Sequence, residues 1–326
     1  MKFRSSLLAI ALATCLSGSL QAAPALTMSV LEAGGSEYQS ANAWLEIDQV
    51  AFEHNIQTLK NQLNGKSQIC FIMKGDAYGH GISNLMPFVL AAGIPCIGIT
   101  SNEEARVVRE SGFEGSLLRV RAATPEEVRH GLAYDLEEMF GDLEAVRIAA
   151  DIAEAEGREL RYHLALNAGG MSRNGLDIAS VAGKQEAKDI LALPAMKLVG
   201  IMTHFSLYDV DAIKASLEQF RQQADWVMTT GGINRQDITL HAASSFAVLT
   251  VPEAGLDMVR PGSILYGETG PLETEYKRIM TFKTRVASVN DYSAGNQVGY
   301  DGAYTLKRDS LLANLPIGYS DGYRRV

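Results

Sequence analysis

From residue 68 to residue 262 the chain repeats one pattern, a short apolar run followed by a longer stretch whose apolar positions recur every three or four residues. The short runs fall at 68–74, 96–100, 117–121, 137–140, 161–167, 197–204, 239–242 and 258–260, and they predict eight strands, of which 137–140 is the least regular. The longer stretches predict helices. Ser101 with Glu104, and Thr124 and Pro125 with Glu127, have capping-box spacing, and Gly112 closes the first of these helices. Ile213, Leu217, Phe220, Ala224 and Val227 keep one apolar stripe along a longer helix. Eight strand–helix units within about 200 residues predict an α/β fold of the closed, parallel (β/α)8 TIM type rather than an open doubly wound sheet.

The period changes on either side. Residues 44–67 give a strand from Trp44 and then a helix leading into the barrel, which is assigned 68–270. After it, "RIMTFKTRVASVN", "QVGYDGAYTL" and "SLLANLPIGYS" are rich in alternating β-formers and make 271–326 the start of a mainly β C-terminal domain, incomplete at Val326. At the other end, Lys2 and Arg4 precede the apolar "SLLAIALATCLSGSL" and the small residues of "QAAPA", the layout of a secretory signal peptide over 1–23, with 24–43 as linker. The apolar stretch is short for a membrane span and holds Ser, Thr and Gly, so no stable membrane insertion is expected after cleavage. Residues 12–15 are partly like a lipoprotein box, but Thr14 fits it poorly.

Composition narrows the partners. With 326 residues, 47% of them hydrophobic, there is ample core to bury, and the formal charge of -9 leaves Arg324 and Arg325 as the basic cluster of note. That disfavours nucleic acid. Export to the periplasm would take Cys70 and Cys96 into an oxidising compartment together; they form a disulfide if they are neighbours in space and remain two buried thiols if not. The six histidines show no HxxxH spacing, which argues against a metal.

Lys74, Arg119, Arg121, Asn167, His204, His241 and Arg260 stand at or near the carboxyl ends of the predicted strands, the rim where such barrels carry their chemistry. Each alone has an ordinary explanation. A lysine ending a strand reaches solvent, histidines are satisfied in cores, and arginines pair with acids. Together they mark a site. A lysine at the mouth, with "SSF" and "RPGS" after the last two strands offering backbone N–H groups, suits a phosphate-bearing aldehyde cofactor.

The motifs "MKGDAYGHG", "MTHF", "HAASSF", "DMVRPGSILYG", "VGYDGAYT" and "PIGYSDGYRR", in that order, resemble the alanine-racemase-like, fold-type III pyridoxal-phosphate enzymes over residues 44–326. The resemblance implies pyridoxal 5'-phosphate as cofactor. It implies Lys74 as the Schiff-base lysine, Tyr78 at the phosphate, and His204 beside the ring in contact with Arg260. Ser244, Ser245, Gly262 and Ser263 match cofactor-cradling positions, and Tyr300 matches a second base supplied by the partner subunit, hence a homodimer with shared active sites. Racemisation removes a proton from one face of Cα and returns one to the other, which two flanking bases do most simply. By resemblance Lys74 serves the D-antipode and Tyr300 the L-antipode. An arginine facing the pyridine nitrogen, effectively always protonated, cannot hand it a proton, which limits electron withdrawal into the ring.

Several positions depart from typical alanine racemases. Ala165 stands where those carry a lysine, often carbamylated; Asn167 replaces an acidic residue, and one extra residue precedes Arg173. Arg173 then needs another partner, with Asn167, Asn174 or a small anion as candidates. These features, the signal peptide, the cysteine pair and "RVR" at 119–121 resemble the periplasmic broad-specificity amino-acid racemases. Gly75 replaces the usual alanine and Ser244 the usual asparagine. The expected function is therefore pyridoxal-phosphate-dependent interconversion of free L- and D-amino acids. The alternatives are a narrow alanine racemase, a non-catalytic pyridoxal-phosphate carrier lacking any need for Tyr300, and an amino-acid binding protein that would not need Lys74.

Overall fold

The apolar runs become parallel strands that close on themselves. In the computed structural model, which describes residues 41–169, 174–272 and 274–323, strand β1 (Ala43–Ile47) and helix α1 (Gln49–Leu63) come first. Then β2 (Gln68–Ile72), β3 (Cys96–Ile99), β4 (Ser116–Arg119), β5 (Leu136–Phe140), β6 (Leu160–Ala165), β7 (Met196–Met202), β8 (Thr239–His241) and β9 (Met258–Val259) form a closed barrel in sequence order. Closure is made by β9 against β2, Gln68 opposite Met258 and Ile69 opposite Val259. The strands are mainly apolar because the helices cover their outer face while side chains fill the inside, and the buried polar exceptions, among them Arg119, Glu137, Glu138, His163 and His241, are paired.

The covering helices are α2 (Ile82–Ala91), α3 (Asn102–Glu110), α4 (Pro125–Gly131), α5 (Leu143–Ala155), α6 (Val181–Leu191), α7 (Val210–Gly231) and the short α8 (Ser245–Thr250). Both predicted capping boxes are present, at Ser101 and Thr124. Asp48, Asp142, Ser180 and Asp209 cap α1, α5, α6 and α7 by accepting from a backbone N–H in the first turn. Each such cap contributes about 1 kcal/mol.

Alternation along the strands separates two interiors. Cys70, Cys96, Leu118 and Met258 meet inside the barrel, as do Met139, Ala165 and Met202. A larger cluster, including Tyr162, Leu164, Ile201, Phe220 and Val227, fills the layer between strands and helices. Cys70 and Cys96 are register partners on β2 and β3 and their sulfurs are at bonding distance, 2.08 Å.

The chain divides into two compact units, and residues 48–279 form the barrel unit. The other combines, among the described residues, 41–47 with 280–323. In it β1 pairs antiparallel with β10 (Met280–Thr284), β11 (Ser288–Tyr292) with β14 (Ser310–Asn314), and β12 (Gln297–Val298) with β13 (Tyr304–Thr305). The predicted mainly β character of this region is what its backbone adopts. The predicted signal peptide, most of the linker, Arg173, Arg324 and Arg325 lie outside the described residues.

Candidate active site

The carboxyl end of β2 runs into a turn of reversed hand. Within Lys74–Tyr78, Gly75, Asp76 and Ala77 have φ of 63°, 52° and 54°, and Tyr78 has φ of 54°. This conformation costs an L-residue roughly 1–2 kcal/mol. Glycine is exempt, so Gly75, the departure from the usual alanine, sits where its lack of Cβ removes strain. The other three are held by contacts. Asp76 Oδ1 accepts from Ile82 N (2.8 Å), and the amides of Gly79 and Gly81 donate to the carbonyl of Asp76. Glu104 Oε1 accepts from the amides of Gly75 (2.6 Å) and Asp76 (3.1 Å). Beneath the turn, Tyr266 lies between the rings of Tyr78 (5.0 Å) and His80 (4.6 Å) and donates its hydroxyl to Ile72 O (3.0 Å).

Lys74 and Tyr78 line one cavity of about 670 Å³, with the lysine nitrogen 5.9 Å from the tyrosine ring centre. His204, Ser244, Ser245, Arg260, Gly262 and Ser263 share the same cavity. At one end Ser245 Oγ accepts from Gly262 N (3.1 Å) and Ile264 N (3.4 Å), which draws the loop after β9 towards α8. A Cβ at Gly262 would stand 2.7 Å from the Tyr78 hydroxyl, so only glycine leaves that corner open. Met139, Met202, Val120 and Leu249 supply an apolar wall.

Arg260 is buried and tied down on every side. Its guanidinium donates to Thr203 O (2.9 Å), Ala242 O (3.2 Å) and, at 3.4 Å, His204 Nδ1. Its shortest contact is with His241 Nδ1 at 2.6 Å, which starts a chain through the barrel interior. His241 Nε2 is 2.8 Å from His163 Nδ1, and His163 Nε2 is 2.9 Å from Glu137 Oε2. Arginine only donates, so each imidazole accepts on Nδ1 and donates from Nε2, and the chain ends on an acceptor-only carboxylate. Gly200 makes room for it, since a Cβ there would fall 2.0 Å from His163 Nδ1.

Burial pulls Arg260 down to about 9, which leaves it a cation at neutral pH. Burial, with the Arg260 charge and His163 adding to it, holds His241 well below an ordinary imidazole. Burial pushes Glu137 up, but the hydrogen bond from His163, the Arg161 charge and the Ser116 hydroxyl outweigh it and leave the carboxyl below its usual value. His80 is likewise lowered, by burial. Both histidines regain an ordinary value near 6.5 when the chain unfolds, so unfolding takes up protons below that pH. Thermal stability is therefore expected to hold above pH 6.5 and to fall below it, by at most about 1.4 kcal/mol per pH unit for each histidine. Melting curves of the protein and its His241→Gln variant between pH 8 and about 5 check this: the variant should show the shallower fall, and parallel curves would refute the assignment.

Other residues marked at the rim go elsewhere. Arg119 lies on the helix-facing side of β4, fully buried, with its guanidinium on Glu138 (2.8 and 3.1 Å) and Asn102 (2.6 Å), and it does not line the cavity. Arg121 donates to Glu127 through both terminal guanidinium nitrogens and is also absent from the lining. The reason is period two: Leu118 and Val120 point inward, so their neighbours point out. His241 is interior but fully buried beneath Arg260. Ala165 packs with Met139 and Met202, two of the wall residues. Asn174 lines the cavity, and its Nδ2 and Asn167 Oδ1 are buried without a hydrogen-bond partner among the described residues. Tyr300 belongs to the β unit, on a 3-10 turn, and is 90% exposed. Glu137, His163 and Tyr266 have no role assigned from the sequence, and Glu104 only that of a helix cap; three inward-parity polar residues, Glu137, His163 and His241, were the available signal.

The donors present suit pyridoxal phosphate. An amine at the cavity wall, a small-residue corner with the hydroxyls of Ser244, Ser245 and Ser263 for a phosphate, and a buried cation on the same cavity match its aldehyde, phosphate and ring in kind. Among the described residues no cluster of metal-ligating side chains is present.

Known proteins share this architecture. Residues 47–270 match the family Alanine racemase, N-terminal domain, and residues 279–326 match Alanine racemase, C-terminal domain. A broad specificity amino-acid racemase of Aeromonas hydrophila is 54% identical over 99% of this chain and 79% of its own length. A lysine racemase of Proteus mirabilis is 47% identical over 87% of this chain and 70% of its own. Among solved structures, alanine racemase of Clostridium difficile superposes with a TM-score of 0.80 at 24% identity, covering 88% of this chain and 76% of that one. Alanine racemase of Streptomyces lavendulae superposes with a TM-score of 0.78 at 27% identity, covering 86% and 75%.

Proposed function

The chain belongs to the alanine racemase family, and from that membership we propose that it is a pyridoxal-phosphate-dependent racemase acting on a range of free amino acids. The observation that carries the reading is the meeting of Lys74, Tyr78, Ser245, Gly262 and Arg260 on one cavity. Ala165 favours breadth over a narrow alanine racemase, because it sets only a methyl group behind the wall residues Met139 and Met202, where typical alanine racemases carry a long lysine side chain. Asn174, whose amide nitrogen lacks a partner among the described residues, is suited to a substrate polar group.

When bound, pyridoxal phosphate supplies an aldehyde that captures amines and a conjugated ring that accepts electron density from Cα. The rest falls to the chain. Ser244, Ser245, Gly262, Ser263 and the Tyr78 hydroxyl would hold the phosphate, and His204 and Arg260 would bound the ring. Arg260, kept cationic and fixed through His241 and His163 to Glu137, would hold its charge beside the ring without giving up a proton. Lys74 Nζ would remove or return the Cα proton of the D-antipode. The phenol of Tyr300, contributed by the partner subunit of a homodimer, would do so on the other face. A non-catalytic carrier would need neither that phenol nor a β unit to bear it.

The predicted signal peptide and a bond between Cys70 and Cys96 belong together in a periplasmic enzyme. No helix among the described residues is long and apolar enough to cross a membrane. The test is incubation of the cofactor-loaded protein with single L-amino acids in deuterated water. Deuterium at Cα together with D-product is expected for several substrates. Bound cofactor with neither exchange nor inversion would make the carrier the better reading.

A further inference from the structure

Each capping box uses a glutamate to close the start of its own helix, and the two in this barrel differ in what else that carboxylate does. Glu127, in the second box, turns its remaining capacity towards the Arg121 guanidinium. Glu104, in the first, has one oxygen on its own helix start: Oε2 accepts from Thr100 N (2.7 Å), Thr100 Oγ1 (3.0 Å) and Ser101 N (3.3 Å). The other oxygen crosses to the neighbouring strand–helix loop and takes the amides of Gly75 and Asp76, the two that follow Lys74. A cap alone does not require the second set. These amides open the reversed turn, whose Asp76, Ala77 and Tyr78 would relax to a right-handed course without outside support.

We propose that Glu104 is a positioning residue for the proposed reaction: its carboxylate fastens the left-handed turn that aims Lys74 and Tyr78 into the cavity. Three donors fix Oε2, so Oε1 stands at a set place relative to β3 and α3 and gives the turn a rigid anchor. Both oxygens must accept, which a carboxylate does and an amide does not. In Glu104→Gln an NH2 group faces N–H donors at one end or the other, and the turn or the cap is released. The inference rests on the racemase reading, because it assigns Lys74 and Tyr78 their work.

Its test sets Glu104→Gln beside Ser101→Ala, which removes only the hydroxyl half of the same cap. In the cofactor-loaded proteins Glu104→Gln is expected to lower kcat and to weaken retention of pyridoxal phosphate on dialysis, each by about tenfold or more. Ser101→Ala should change both by less than about twofold while costing similar thermal stability. Equal losses in the two variants, or none in Glu104→Gln, would overturn the proposal. Should Glu104→Gln fail to fold, hydrogen exchange on the wild-type protein decides: slow exchange at the amides of residues 75 and 76 supports the clamp, and exchange at the rate of an open chain overturns it. Wild-type protein that took up no pyridoxal phosphate would instead sink the racemase reading, and the exchange measurement would still judge the clamp.

Discussion

Lys74→Ala is expected to abolish racemisation and to leave pyridoxal phosphate removable by dialysis. Two losses combine. Removing a positioned base costs roughly 10²- to 10⁴-fold, and removing the amine also removes the group that captures the aldehyde. The proposed phosphate seat at Ser245 and the Gly262 corner would remain, so the variant should still bind cofactor weakly and reversibly. Mass measurement after borohydride reduction reads the outcome directly: wild-type protein gains the cofactor mass on the peptide holding Lys74, and the variant gains none. A variant that still inverted amino acids, or was still labelled by borohydride, would remove Lys74 from the chemistry.

Tyr300→Phe is the more discriminating change. It deletes one oxygen from an exposed side chain and should leave the fold intact. Inversion should fall by roughly 10²- to 10⁴-fold. The fall must be equal in both directions, because enantiomers are of equal free energy and a catalyst cannot shift their balance. Exchange of the Cα proton is not bound in that way. With Lys74 in place, D-amino acids should go on exchanging with deuterated water, while exchange from L-amino acids should drop with inversion. Loss of both exchanges to the same extent would argue against a separate base for each antipode.

Arg260 and its partners show how far a reading of residues goes. That Arg260 ends a barrel strand follows from the sequence, whereas its proposed place at a pyridine nitrogen rests on the family resemblance. The path from Arg260 through His241 and His163 to Glu137 does not follow from the sequence, because it links β9, β8, β6 and β5 across a barrel. Its glycine, Gly200, would have been read as a weak point in β7 rather than as the space through which a histidine passes. Glu104 is similar. Its spacing from Ser101 announces a helix start, and nothing local tells that its second oxygen serves the next loop.

The eight strands, the capped helices between them and the β character of the last segment are local properties of the chain. These follow from apolar period and from hydrogen bonds that reach only three or four residues along the chain. Closure of the sheet decided the rest. Whether a strand residue looks into the barrel or out to the helices depends on parity counted against its neighbours, and on that count Arg119 fell to a buried pair with Glu138 and not to the cavity. The reversed turn at Lys74–Tyr78 is likewise unfavourable from local terms alone, and exists because Glu104 and Tyr266, brought in from distant positions in the chain, hold it there.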